Sequence, residues 1–388
     1  MLNMNFSNFD FTKKNSAMPS SKDHQLIKTV NALLTKDIPF VVYRFPNETN
    51  SCLVVQLEKI HLVLDIKDLC QRAGFIIAPF ESVISETAYF IRPDRFACDE
   101  NGYEDILKAV EDLPPKQETK DYAENHIMTH QEYLEIANYL IDKIKNGEMD
   151  KVVLSRVIKE KLPNHFDAGK FYERLCEQYP DAFVYLFRLP DSGVWVGATP
   201  ETLIKQDERG EVEIVSLAGT RVRKDPGDEV HWEEKELREQ EYVSEYIRLK
   251  ISGLGIHDYE ESPVETVQAG HLAHLRTVFK LPAEKMVDKV GELVKRLHPT
   301  PAVCGLSKVD AFRSIEKAEI HDRKYYTGFL GPWGLQGKRR LFVNLRCAEI
   351  ANDSIFLYVG GGLTGDSVAE REWEETEQKA LTLLSVLP

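Results

Sequence analysis

Glu372, Glu375 and Lys379 recur at intervals of three and four near the C-terminus of this 388-residue chain. On a helix that spacing brings all three to one face. Just upstream stands Gly360-Gly361-Gly362. Two carboxylates and a lysine beside a Gly-rich turn can hold a hard cation and an anionic ligand together. The same residues would also serve as a solvated face laced by i,i+4 ion pairs. The run Gly360–Gly365 lacks the Gly-Lys-Ser/Thr ending of a phosphate loop. It also lacks a ribose-binding acid ~20 residues on, so it is a poor nucleotide fingerprint. Its glycines suit the close approach of backbone amides, such as those of Gly360 and Gly362, to a small carboxylate.

Further upstream, Lys151 opens a run of β-branched residues after a helix and a Gly-containing turn. At a strand edge a lysine ordinarily reaches solvent. Buried, it loses its proton more readily and can act as a general base. Glu201 follows Gly197-Ala198-Thr199-Pro200. It is either a solvated turn residue or, held against apolar groups, an un-ionised acid able to protonate a leaving oxygen. A base and an acid displaced in opposite directions fit an enzyme that moves a hydroxyl group.

Glu236 and Glu239 lie on a helix starting near Trp232, and Glu239 falls on its apolar stripe with Val243 and Tyr246. A carboxylate on a buried face needs a cation or hydrogen-bond donors, which makes Glu239 the stronger candidate metal ligand. Arg346, between Leu345 and Cys347, reads as a strand residue that could pair with an internal acid or grip a carboxylate in bidentate fashion. His274, isolated in its segment, reads first as structural.

These residues require a scaffold of strands and helices. Helical periodicity predicts helices over 23–34, 129–145 (closed by Gly147), 168–178, 232–252, 286–297 and 369–387. Strands are expected at 40–45, 52–57, 88–91, 151–157, 182–189, 194–198, 212–217, 274–279, 340–350 and 355–359. Strand pairs interrupted by helices suggest an α+β fold with largely antiparallel sheets. Residues 1–22 read as a flexible leader, 23–120 as an N-terminal part ending in the Pro- and charge-rich stretch 113–120, and 121–388 as the catalytic region integrated with it.

A net charge of −14 argues against nucleic acid or an anionic membrane as a general partner. No run approaches the ~18 apolar residues of a membrane span. The six cysteines are scattered without a CxxC, and read as small buried residues in a reducing compartment with no disulfide framework. The expectation is a cytoplasmic protein, monomeric in the absence of an obvious apolar patch.

Several runs carry a family likeness: Asp150-Lys151-Val152-Val153-Leu154-Ser155-Arg156, Thr199-Pro200-Glu201-Thr202-Leu203, Leu217-Ala218-Gly219-Thr220-Arg221 and Ala273-His274-Leu275. They continue with Leu297-His298-Pro299-Thr300-Pro301-Ala302-Val303-Cys304-Gly305, Arg323-Lys324-Tyr325-Tyr326-Thr327-Gly328, Leu345-Arg346-Cys347-Ala348 and Glu372–Lys379. In this order they resemble the chorismate-utilising enzymes, over roughly residues 130–388. The first 120 residues match weakly, chiefly through Phe75–Phe80. The likeness is greatest to the isochorismate synthase type. Amine-transferring members usually carry glutamine where Lys151 stands, and salicylate-forming members tend to carry threonine where Ala302 stands.

The resemblance implies two packed, largely antiparallel sheets flanked by helices, with a cleft between the halves. It also implies roles. Lys151 would activate water for attack at C2 of chorismate, and Glu201 would protonate the departing C4 hydroxyl. Mg²⁺ would be held through Glu239 and Glu375, with Glu236 and Glu372 binding directly or through water. Arg346 with Tyr326 would hold the enolpyruvyl carboxylate. Lys379 and the amides of Gly360 and Gly362 would complete the anion site, and Thr220, His274 and Ala302 would line the ring pocket. A salicylate synthase that goes on to eliminate pyruvate, and a non-catalytic chorismate sensor, are the alternatives. The product's destination, menaquinone or siderophore, stays open. Gln240 after Glu239 and Thr364-Gly365-Asp366 depart from the usual pattern.

Overall fold

Along Phe40–Arg44 every residue is buried, because successive side chains enter opposite layers. Phe40 and Val42 pack under helices, while Val41 and Tyr43 point into the space between two sheets. The computed structural model describes residues 21–388, apart from 59–61, 116–125, 191, 223–229 and 270–271. The expected leader, up to residue 20, and much of the expected Pro-rich connection lie outside the described residues.

One sheet has nine strands in the spatial order Gly305–Leu306, Lys151–Lys161, Ser354–Leu363, Cys347–Ala351, Val194–Thr199, Phe183–Arg188, Phe40–Arg44, Cys52–Val55 and Arg95–Ala97. The other follows the order Glu260–Glu261, Leu272–Leu281, Val212–Val222, Thr202–Gln206, Lys338–Val343, Phe329–Leu335, Gly74–Ala78, Thr87–Ile91 and Leu62–Asp65, with Glu265–Ala269 also on Leu272–Leu281. The pairings are antiparallel, in the α+β arrangement expected. Strands from before residue 100 enter both sheets, beside partners from the later chain.

The sheets face each other across an aromatic-rich layer, where Phe183 of one stacks on Phe342 of the other at 4.1 Å. Helices Ser21–Lys36, Glu100–Glu111, Ala168–Gln178 and Ala369–Leu384 cover the outer face of the first sheet. Glu234–Ser252 and Val290–Leu297 cover that of the second. Helix His130–Lys145 begins at a reciprocal cap, Thr129 with Glu132, that satisfies its first amides. Among the described residues, no helix is long and apolar enough to cross a membrane.

The differences from expectation have local causes. The single helix expected over 286–297 is two pieces, Ala283–Met286 and Val290–Leu297, separated by Asp288 at φ 56°. The single strand expected over 340–350 is two strands in different sheets. The Gly-rich segment expected to be a turn is strand: Ser354–Leu363 runs through all three glycines because Lys151–Lys161 pairs with it along its whole length. Helix Lys308–Ala318 was not anticipated. Cys52 and Cys98, expected to be unpaired, are disulfide-bonded, since the pairing of Leu53 with Ala97 brings them opposite one another. Cys304 and Cys347 are free and buried.

Candidate active site

Two chain crossings between the sheets build the floor of a cleft. Val194–Thr199 lies in the first sheet and Thr202–Gln206 in the second, so Pro200 and Glu201 form a seam. The chain crosses back between Lys338–Val343 and Cys347–Ala351, and Arg346 takes the step at φ 49°. The seams are tied together. The amide of Val343 donates to the Glu201 carbonyl (2.9 Å), the Thr199 hydroxyl to Val343 O (2.6 Å) and the amide of Ala198 to Arg346 O (3.1 Å). Arg346 therefore sits on a crossing and not on a strand face. A fully paired ladder would leave no room for side chains at these points. The switch from sheet to sheet opens one.

The cleft has a volume of about 960 Å³. It is lined by Lys151, Glu201, Glu239, His274, Ala302 and Tyr326, and also by Arg346, Gly360, Gly362, Glu372, Glu375 and Lys379. Residues separated by more than two hundred positions thus meet. The side chain of Thr220 lies outside the described residues. Glu236 does not line the cleft. Its carboxylate bonds Arg221 (2.9 Å) and the amide of Glu233, the residue that caps the helix (3.0 Å).

Burial pushes the Glu201 carboxyl up to about 7, against the opposing pull of the Lys151 charge. At neutral pH this acid divides between donor and acceptor forms, as a general acid requires. Lys151 is mostly buried but not in apolar isolation, because its Nζ lies 3.3 Å from Glu239 Oε1. The glycines beneath it act by their lack of side chains. A Cβ on Gly362 would come 2.8 Å from Lys151 Cε, and one on Gly360 would come 2.9 Å from the Tyr326 hydroxyl.

Strand Cys347–Ala351 pairs with Ser354–Leu363 only as far as Tyr358, leaving the Gly360 edge turned to the cleft. Lys379 Nζ donates to Gly360 O at 2.8 Å. The Gly360 amide faces the same edge, since N–H and C=O of one strand residue point the same way.

The C-terminal helix is set in rotation by Arg156, whose guanidinium stacks 3.5 Å over the Trp373 ring and bonds Thr376 Oγ1 (2.9 Å) and Glu377. With that face held inward, Glu372, Glu375 and Lys379 turn to the cleft. Glu375 pairs with Lys379 at 2.6 Å. Arg346 is mostly buried, which lowers its pKa, and bonds Lys379 O and Thr382 Oγ1, both at 3.3 Å. Among the described residues it makes no ion pair. His274 Nδ1 lies 3.0 Å from Gly219 O. A carbonyl only accepts, so Nδ1 carries the proton there. Gly219 reaches this position at φ 69°, inside a register shift between strands Val212–Val222 and Leu272–Leu281.

Glu239, Glu372 and Glu375 offer carboxylate oxygens, the donor type of a hard divalent cation. Among the described residues no three His, Cys, Asp or Glu side chains converge as a ready-made metal cage. The chemistry of the donor set fits Mg²⁺, which commonly takes one or two carboxylates and completes its shell with water and substrate. Sequence reasoning missed Thr300, Val303 and Thr327, which also line the cleft. All three lie in runs that carry the family likeness, but their side-chain types alone do not single them out, and their place at the cleft is set only when the sheets pack.

Two antiparallel sheets thus enclose one cleft that gathers Lys151, Arg346 and Lys379 with Glu201, Glu239, Glu372 and Glu375. The chain belongs to the chorismate binding enzyme family, whose model matches residues 10–388. It is similar to the isochorismate synthase EntC of Escherichia coli K12, with 31% identity over 247 residues, 62% of each protein. The match thus spans less than two thirds of that relative's length. It is also similar to anthranilate synthase component 1 of Aquifex aeolicus, with 27% identity over 296 residues, 73% of this chain and 57% of that protein. Among solved structures, the menaquinone-specific isochorismate synthase MenF of Escherichia coli shares the fold at TM-score 0.75. That match has 18% identity and covers 96% of this chain and 92% of the other.

Proposed function

We propose that this protein is an isochorismate synthase, converting chorismate to isochorismate by adding water at C2 with loss of the C4 hydroxyl. The observation that carries the reading is that Lys151 and Glu201 line one cleft, with the carboxyl of Glu201 held near 7. In its free-amine form, Lys151 Nζ takes a proton from a water molecule whose oxygen bonds to C2. The ring double bonds shift, the C4–O bond breaks, and Glu201 gives its proton to the departing hydroxyl, which leaves as water. The substrate gains and loses one water, so the reaction is an isomerisation.

Arg346 and Tyr326 bind the enolpyruvyl carboxylate, while His274 and Ala302 border the ring. Lys379 and the Gly360 edge form the second anion site. Glu239, Glu372 and Glu375 would hold Mg²⁺, which when bound neutralises the ring carboxylate. The protein's net charge of −14 would otherwise repel a dianion, so this local reversal of field is a condition for binding.

Chromatography of products formed from chorismate and Mg²⁺ tests the proposal. Isochorismate is expected. Salicylate with equimolar pyruvate would replace the reading by a salicylate synthase. Anthranilate formed with ammonium would replace it by the amine-transferring reaction named for the Aquifex relative, and binding without turnover would leave a chorismate sensor.

A further inference from the structure

Behind the cleft wall lies a buried charged cluster that the proposed reaction does not use. The side chains of Glu319, His321 and Arg323 are 3%, 0% and 2% exposed. Arg323 Nη2 donates to Val153 O (2.7 Å) and Glu319 Oε1 (2.6 Å), and Nε donates to Glu319 Oε2 (2.7 Å). Its Nη1 donates to Val303 O (3.0 Å) and Thr327 Oγ1 (3.2 Å). Glu319 Oε1 accepts from both the amide (2.7 Å) and the hydroxyl (2.9 Å) of Ser155, and that hydroxyl also meets His321 Nε2 at 3.0 Å. The guanidinium lies 4.5 Å from the Phe80 ring.

The arrangement completes a β-ladder with side chains. The short strand Gly305–Leu306 pairs only with Lys151 and Val152, and the amide of Val153 reaches Cys304 O at 2.9 Å. Beyond that point the same edge carries the carbonyl of Val153 and the amide of Ser155. Buried backbone groups need partners. Arg323 supplies the donor and Glu319 the acceptor. A buried ion pair is weak evidence of a stability role, since apolar residues of similar volume often serve stability as well. What it adds here is geometry: one guanidinium touches Val153, Val303 and Thr327, three residues that line the cleft from three separate segments.

We infer that Arg323, held by Glu319, is a positioning residue that sets the strand of Lys151 against the cleft-lining loops carrying Val303 and Thr327. The inference rests on the proposed role of Lys151, and the experiment separates the two. Arg323→Lys keeps the charge facing Glu319 but cannot reach Val153 and Val303 together. In the variant, folded by circular dichroism, kcat on chorismate should fall at least about tenfold with KM within about threefold, as for lost orientation. Competitive acetylation read by mass spectrometry should change the labelling rate of Lys151 by at least about threefold, with that of the distant Lys205 unaltered.

Unchanged kcat and Lys151 labelling in the folded variant would overturn the inference. Wild-type protein inert on chorismate would defeat the isochorismate reading, while the labelling would still decide the positioning role. Should Arg323→Lys not fold, Ser155→Ala removes the hydroxyl link to Glu319 and His321. The Lys151 labelling rate should then differ from wild type by at least about threefold, and an unmoved rate would overturn the role.

Discussion

Lys151 Nζ stands 3.3 Å from Glu239 Oε1, an ion pair that joins a strand of one sheet to the helix covering the other. The candidate base and a candidate metal ligand are thus in contact, so their variants should differ in kind. Lys151→Ala should lower kcat by about 10²–10⁴-fold, the usual range for loss of a general base. Chorismate binding by calorimetry should survive in that variant. Near-normal turnover would dismiss Lys151 as the base.

Glu201 carries a pH signature. Its carboxyl is raised from 4.5 to about 7 by burial. A donor must hold its proton, so kcat should decline as pH rises through about 7. Glu201→Gln should lose kcat by about 10²–10⁴-fold. Linkage gives the stability sign: the folded state binds this proton more tightly than the unfolded state. The stabilising contribution is whole below 4.5 and is lost as pH rises to about 7. At pH 8 the glutamine variant should therefore melt above wild type, and at pH 4 the advantage should vanish. The reverse order in calorimetry would contradict a buried, proton-holding Glu201.

The strand glycines should separate chemistry from folding. A methyl at Gly362 meets the movable Lys151 Cε at 2.8 Å, whereas one at Gly360 meets the fixed carbonyl of Leu154 at 2.8 Å. Gly362→Ala should displace Lys151 and depress kcat with little change in melting. Gly360→Ala should cost about 1–3 kcal/mol, as overpacking does. Equal melting temperatures for the two variants would refute this division.

Metal removal tests the carboxylate group. Chelation with EDTA should abolish turnover, and Mg²⁺ should restore it. Glu375→Gln should raise the Mg²⁺ needed for half-maximal rate by about tenfold or more, in proportion to the lost charge. Full activity in EDTA would remove the metal from the proposal.

Cys52 and Cys98 enclose a loop of sequence separation 46. For a loop of that size the bridge should contribute about 4 kcal/mol. Reduction should lower the melting temperature and expose two additional alkylatable thiols by mass spectrometry. Alkylation of both cysteines without reductant would show that the bridge does not form.

Helices 168–178 and 129–145, the antiparallel character of the sheets and the chemistry-bearing types at Lys151, Glu201, Arg346 and Glu375 were legible from the chain alone. Periodicity and side-chain chemistry are local properties. Tertiary structure alone decided that residues 340–350 divide between two sheets, that the three glycines form a strand floor, and that Glu236 pairs with Arg221. It also decided that Arg323 and Glu319 complete an open strand edge. Each of these depends on which distant segment supplies the partner for a hydrogen bond or charge, and no spacing along the sequence encodes that choice.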